Sequence, residues 1–461
     1  MPLTFFDYRN SDILVRIRSW YRRLFSIAEI ETNPTLQWFF GAMLLYFFST
    51  FSQWISSPTL TVENAPYAVC WPYFQGCARL YFLRLMPYGY SQSIFYMALF
   101  GVMILIIYCM WRRQWVAAHA LLLVLWLWKF FAVFVLSYTI GGVYDSYHLI
   151  LTATLLFVPH KEYFAKVMFV FLYFLSSTVK FYPTWILGTY FTSLQLGVPL
   201  FPHAFTALIT NTVIFEQVVG CWFLLSSNKI AQRLSLVYFT IFHLYAGILV
   251  LFDYSLISLP ALLILFGPMY RHQYPPLTRK SIAGWSLLLI MVLFQLPAHI
   301  IPGDEKMTLE GYRFGMWMFD ANHQCVVTFT SNYNPGVTRT AQSATTSPSF
   351  LCTNDLCLTS NHTYESAGIW MQTLQYESPN AEARCDPYTI WQEHRYLCNA
   401  NVSRVSMQQD QAINGGPFYR IVDEANICNL NYQPFVHNSW IKEPPQAPLV
   451  GYSVKDPYYS Y

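Results

Sequence analysis

The sequence predicts an all-α polytopic membrane bundle of about nine spans, followed by a small, exported, disulfide-rich domain of mixed structure. Three observations predict it. Of 461 residues, 55% are hydrophobic and only 11% charged, too few charges for an ordinary soluble surface and too apolar a chain for disorder. Apolar segments close to the ~20 residues that a hydrocarbon core requires recur along the chain up to Pro302. Eight of the cysteines fall outside those segments, at Cys70, Cys77 and from Cys325 to Cys428. The net charge of +3 gives no reason to expect a nucleic-acid partner.

Residues 1–33 read as a cytoplasmic amphipathic segment. The chain does not open on a cleavable signal, because arginines and tryptophan stand where an apolar stretch belongs. In "SDILVRIRSWYRRLFSIAEI", Ile13, Ile17, Trp20, Leu24 and Ile27 follow helical spacing, and Ser11 or Asp12 can cap the helix. Such a helix either lies on the inner leaflet with its arginines at the headgroups or packs on the bundle.

Residues 34–302 form the membrane domain. Its spans are expected near Thr35–Trp54, Ser93–Trp111, Val116–Tyr138, His148–Val158, Phe164–Val179, Ala204–Leu225, Leu234–Phe252, Leu256–Met269 and Ile282–Ile301. The fourth, fifth and eighth are short and need tilt or burial to cross. With a cytoplasmic amino terminus, one face receives Arg16, Arg18, Arg22 and Arg23, then Arg112 and Arg113, Lys161 and Lys166, Lys229 and Arg233, and Arg271, Arg279 and Lys280. The other face has Arg79 and Arg84 in its first loop, as the positive-inside bias requires. An odd number of spans exports residues 303–461, to the endoplasmic reticulum lumen or beyond a bacterial inner membrane.

The cysteines agree with export into an oxidising compartment. Cys70 and Cys77 are expected to pair with each other, whereas six tail cysteines allow 15 pairings that the sequence does not rank. Their spacing is a poor zinc pattern, so no metal is predicted. Asn361 in "NHT" and Asn401 in "NVS" stand on the exported side as sequons. In the polar tail, "CVVTFT" suggests a strand and "DPYTIWQEHRYLC" a short helix.

Ionisable groups inside a membrane are costly and usually face an interior or a cavity. Lys180 ends the fifth span on the exported side. Asp145 and His148 open the fourth, with Tyr144 and Tyr147 beside them; His243 lies inside the seventh span and Asp253 at its outer end. This set could line one pocket. Lys129 and Glu216 are nearer the middle of their spans and are expected to neutralise each other. Each has a structural alternative: Lys180 can snorkel to headgroups, and His148 and His243 can be packing histidines. The neighbourhood of Lys180 favours a pocket, since Pro183 halts the helix and Trp185, Gly188 and Tyr190 make an aromatic, glycine-punctuated wall.

"STVKFYPTWILGTYF" resembles the lysine-to-tryptophan-to-glycine segment of the vitamin K-dependent gamma-carboxylase family and its bacterial HTTM relatives. "RSWYRRLF", "FHLYAGILVLFDYSLISLPALLILF" and "EGYRFGMWMFDANHQCVVTF" follow in the family's order, the last with Gly311, Tyr312, Trp317, Met318, His323 and Gln324 in similar places. The resemblance implies a lyase-type carboxylation. Family carboxylases use O2 to oxidise a reduced naphthoquinone, generate a strong base that takes a gamma proton from peptide glutamate, and add CO2 to the carbanion. It implies Lys180 as the base that deprotonates the hydroquinone, Asp145 and His148 as catalytic partners, and Trp185, Tyr190 and His243 as cofactor-binding residues. Such a base has to be a neutral amine, and burial disfavours ammonium. Where the carboxylases carry an Asn-His pair, "YDSYHL" has Tyr144 and Asp145, with His148 one helical turn on. The tail is also short and cysteine-rich beside the animal enzymes.

Three functions follow as expectations. The first is a quinol-, O2- and CO2-dependent carboxylase acting on an exported peptide or protein. The second is a non-catalytic HTTM protein binding membrane lipid, a quinone or a partner. The third is a transporter, which calls for repeated halves that the sequence does not show.

Overall fold

Each of the nine apolar segments becomes helical, for local reasons the sequence supplies. The computed structural model describes residues 7–55, 69–80, 90–192, 198–250, 252–317, 321–333, 357–366, 369–378, 385–398 and 402–443. Helix α1 (Asp7–Leu24) and the short α2 (Ile27–Thr32) lead into α3 (Pro34–Trp54), where Asn33 caps the first turn by accepting from Thr35 N and Pro34 opens the helix. Then come α4 (Tyr90–Trp111), α5 (Trp115–Phe131), α6 (Val143–Phe157) and α7 (Lys161–Thr178). After two short turns, α8 (Pro183–Ile186) and α9 (Thr189–Thr192), follow α10 (Thr206–Val218), α11 (Lys229–Leu249), α12 (Phe252–Phe266) and α13 (Ile282–Ile300).

Among the described residues, four helical stretches are long and apolar enough to cross a membrane: Gln92–Trp111, Trp115–Leu136, His203–Leu225 and Arg279–Ile300. They mark the chain as a membrane protein. The expectation of nine membrane-length spans is not supported: the other apolar helices fall short in length or in apolar character. α6 and α12 have 15 residues each, about 22 Å against a core of ~30 Å. α7 is enclosed rather than lipid-facing: it packs against α3, α6, α10, α12 and α13, and Phe164, Met168, Val170 and Tyr173 are buried along it.

The basic helix ends gather at one pole. Glu29 accepts from the backbone of His160 and Lys161, Lys166 donates to Arg271 O, and His160 bonds Thr278. Tyr21 of α1 reaches His119 of α5, yet Ile17, Trp20 and Leu24 stay exposed, so the bundle leaves most of the amphipathic face uncovered.

At the other pole sits the C-terminal domain. Its five-stranded antiparallel sheet comprises β1 (His323–Tyr333), β2 (Cys357–Ser366), β3 (Ile369–Ser378), β4 (Val402–Ile413) and β5 (Tyr419–Glu424), in spatial order β2-β3-β1-β4-β5. Alternation in β1 sends Cys325, Val327 and Phe329 inward. Val327 and Phe329 meet Val405, Met407, Met307 of α14 (Glu305–Thr308) and Tyr388 and Trp391 of α15 (Pro387–His394), while Cys325 packs on Cys385. The expected strand and short helix are thus both present. Cys70 pairs with Cys77 as expected, and Cys325–Cys385 and Cys398–Cys428 pair within the domain. Cys352, Asn401, Met318, Arg84 and the side chains of Arg79, Asn361 and Cys357 lie outside the described residues. The 70–77 loop fastens domain to bundle: Tyr388 donates to Cys70 O at 2.6 Å and Tyr138 N to Val69 O at 2.9 Å.

Candidate active site

The end of α7 places Lys180. The helix stops at Thr178, five residues before Pro183 opens α8, and Lys180 folds back over the last turn of α7. Its Nζ donates to Ser176 O at 3.0 Å and to Gln217 Oε1 of α10 at 3.2 Å, and Ser177 Oγ donates to the same amide oxygen at 2.5 Å. The ammonium position is 5.4 Å from the Trp185 ring centroid, and Trp185 stacks on Tyr190 at 5.1 Å. Lys180 is 3% exposed. It is therefore packed inward, and the snorkelling alternative does not describe it. Gly188 makes the turn possible: its φ is +76°, and a Cβ there would stand 2.9 Å from Ala207 N.

The C-terminal domain closes this pocket from above. Asn322 Nδ2 donates to Tyr190 O at 2.6 Å, and Asn414 Nδ2 donates to Thr184 Oγ1 at 3.0 Å. A second buried amine, Lys306 at 2% exposure, enters from α14: its Nζ donates to Val179 O at 2.8 Å and lies over Tyr182 and Trp317, 4.6 and 5.3 Å from their centroids. His323 Nε2 bonds the Lys306 carbonyl at 2.8 Å. Nothing in the sequence singles out Lys306, because "GDEKMTLEG" reads as a solvated charged loop.

Trp317, which packs with Val179, also lines a neighbouring cleft of about 50 Å³, bounded by Tyr312, Arg313, Gly142, Ser146 and Trp71. Arg313 spends Nη1 on Gly141 O at 3.2 Å and lays its guanidinium on Tyr138. Among the described residues, its Nη2 and the Trp317 Nε1 are buried N–H donors without a partner, as is Nε2 of Gln295, whose Oε1 accepts from Met316 N. Orphaned buried donors are uncommon and costly. Arg313 and Trp317 both line this cleft, which marks a place for an acceptor.

Asp145 and His148 belong to a different group. Lys129 Nζ lies 2.7 Å from Asp145 Oδ1, 3.0 Å from His148 Nδ1 and 2.9 Å from Thr50 Oγ1, under the Tyr46 ring. Asp145 also caps α6 by accepting from Gly142 N at 3.0 Å, so it stands behind the cleft wall. His148 Nε2 donates to Met43 O at 2.9 Å. Both ring nitrogens are thus engaged, in the neutral Nε2–H tautomer. The expected Lys129–Glu216 pair is replaced by Lys129–Asp145, and the expectation that Asp145 and His148 share a pocket with Lys180 gives way to two groups. The cause is helical phase: on α6 the i, i+3 pair faces α3 and α5, while Tyr147 faces α7 and bonds Leu172 O.

His243 is apart again. Tyr173 of α7 hydrogen-bonds its Nε2, and Ser255 donates to its backbone carbonyl at 2.7 Å. Its ring packs against Tyr254 at 5.1 Å and leaves a buried Nδ1 without a partner. Asp253 accepts from Gln53 at 2.9 Å. Of the expected cofactor residues, Trp185 and Tyr190 stand at Lys180, and His243 contacts α7 at Tyr173, about two turns earlier.

In comparison with known proteins, the chain matches no family model, no curated protein and no solved structure.

Proposed function

We propose that this protein is a membrane enzyme whose acid–base centre is Lys180, with the C-terminal domain on the exported side and the basic pole in the cytoplasm. The observation that carries this reading is the enclosed Lys180 amine, roofed by Trp185, with a neighbouring cleft that Trp317 lines and that carries orphaned N–H donors. An amine held by dipoles in a water-poor place is suited to proton transfer.

The resemblance to the gamma-carboxylases gives the reaction its class: a reduced naphthoquinone and O2 supply the strong base, and CO2 is the carbon donor. The chain's own residues divide the work. Lys180 Nζ takes the hydroquinone proton, and Arg313 Nη2 and Trp317 Nε1 hold the carboxylate of the substrate glutamate. Size supports that assignment of the cleft. At ~10–15 Å³ for each water-sized site, about 50 Å³ accommodates a carboxylate and not a bicyclic ring. The quinone ring is therefore assigned to the Trp185–Tyr190 side. Asp145 and His148 orient α6 and do not touch substrate.

The test supplies purified protein with reduced vitamin K, O2, labelled CO2 and a glutamate-rich peptide. Label fixed by the wild type and lost in Lys180→Ala supports the reading, with Arg313→Gln raising KM for peptide. Fixation unchanged in Lys180→Ala removes Lys180 from the mechanism. No fixation by the wild type, with quinone binding intact in both proteins, favours the non-catalytic lipid- or quinone-binding alternative.

A further inference from the structure

The domain carries an apolar tip that its own fold leaves bare. Between Gln433 and Asn438 the chain makes a tight loop, tied by Gln433 N to Asn438 Oδ1 at 2.7 Å and by Asn438 Nδ2 to the carbonyls of Gln433 and Val436 at 3.0 and 3.1 Å. The buried Glu310 carboxylate anchors the same loop, accepting from Asn438 N and Nδ2 at 2.8 Å each, and pairs with His437. This hydrogen bonding fixes the loop so that Phe435 and Val436 point outward, 56% and 48% exposed. A rigid loop that presents two apolar side chains to water loses hydrophobic stabilisation unless something covers them.

What covers them is indicated by the ring series that leads to the loop. Phe130 and Phe134, at the end of the membrane-length Trp115–Leu136 helix, lie 5.1 Å apart; Phe134 continues to Trp71 at 5.9 Å and Trp71 to Tyr73 at 5.3 Å. Tyr73 meets Phe314 at 6.3 Å, and Phe314 stacks on Phe435 at 5.2 Å. Phe130 and Tyr73 are themselves exposed along this line. Trp71 and Tyr73 donate to the carbonyls of Val133 and Phe134, both at 2.7 Å, in the π-helical turn Ala132–Leu136 that ends the span. Aromatic side chains with one polar tip and a wet neighbour are the residues that sit at headgroup level.

We propose that the Phe435–Val436 loop dips into the leaflet on the domain's side of the membrane, making the C-terminal domain a second, monotopic membrane contact beside the spans. The occupant of this surface is the boundary between headgroups and acyl chains, reached by the continuous aromatic line from the lipid-facing end of the span. A second copy of the chain is a poorer occupant: with Tyr73 and Phe74 the patch has four side chains, against the roughly 20–30 residues a side of a stable protein interface. The proposal rests on the membrane reading and not on the enzymatic one.

The test places a bimane label at Val436→Cys in the full chain, reconstituted in liposomes with and without lipids brominated in their acyl chains. Loss of fluorescence with bromolipid, with none at a Lys442→Cys control on the same domain, is expected. A label at Leu127→Cys, exposed on the membrane-length helix, reports whether the bundle itself is embedded. Quenching at Leu127→Cys without quenching at Val436→Cys overturns the proposal and leaves the membrane reading standing. Val436→Cys fluorescence that ignores bromolipid and shifts with protein-to-lipid ratio assigns the patch to a second copy, and also overturns it. No quenching at either site removes the membrane reading and the proposal together.

Discussion

Lys129 and Lys180 are both buried amines near the same pole, yet they are held in opposite ways. Lys129 is met by the Asp145 carboxylate at 2.7 Å and a neutral histidine. Lys180 donates to a backbone carbonyl and an amide oxygen and lies over an indole. A carboxylate partner stabilises the charged form and makes the pair a fixture of the bundle, because removing either partner strands a charge. The carbonyl and amide oxygens described at Lys180 accept from a neutral amine as well as from an ammonium. The difference separates a group that organises the bundle from one suited to exchange a proton.

The most disruptive way to probe this contrast is Asp145→Ala, which leaves Lys129 buried without its carboxylate. It is expected to cost about 3–5 kcal/mol in detergent-solubilised unfolding, and the double variant Lys129→Met/Asp145→Leu should recover most of it. A loss below about 1 kcal/mol, the range of exposed pairs, breaks the comparison.

A pH effect belongs to the rim. Asp386 caps α15, and burial pushes its carboxyl up to about 6, against the opposing pull of Arg313. Because the folded state holds this proton more tightly, stability from Asp386 is full below the ordinary carboxylate range and falls as pH rises through about 4 to 6. Comparing wild type with Asp386→Asn across that window should show the wild type losing relative stability by up to about 3 kcal/mol. A flat difference means that Asp386 does not couple domain to bundle.

Asn322→Ala frees Tyr190 O and should cost about 1–3 kcal/mol, with faster proteolysis after Phe181 as the local readout. The smallest change is expected from Lys180→Met, which keeps the stem and removes the charge: unfolding within about 1.5 kcal/mol of wild type, beside complete loss of any proton-transfer activity. A collapse of stability there would put Lys180 in the same class as Lys129.

Much of the architecture was legible because it rests on local rules. The apolar runs, Asn33 with Pro34, and Pro183 after Lys180 mark where helices start and stop, and close sequence spacing made Cys70–Cys77 readable. The strand at "CVVTFT" and the helix at "DPYTIWQEH" were visible by periodicity. Length misled in the span count, because a run of apolar residues reads alike whether protein or lipid covers it; α7 is covered by protein. At the site, Lys180 with Trp185 and Tyr190 could be read because Pro183 brings them together within one segment. The partners that complete it, Gln217, Lys306, Arg313 and Asn322, come from distant elements whose meeting depends on helix phase. The same phase took Asp145 and His148 away from Lys180.

The hydrogen bonds that close the rim also set an order of assembly. Tyr190 O waits for Asn322, 132 residues later, and Thr184 for Asn414, 230 residues later. During synthesis the loop after α7 is therefore inserted early and finished late, and a chain cut short before the sheet would carry a fully made bundle with its most chemically active corner left unassembled.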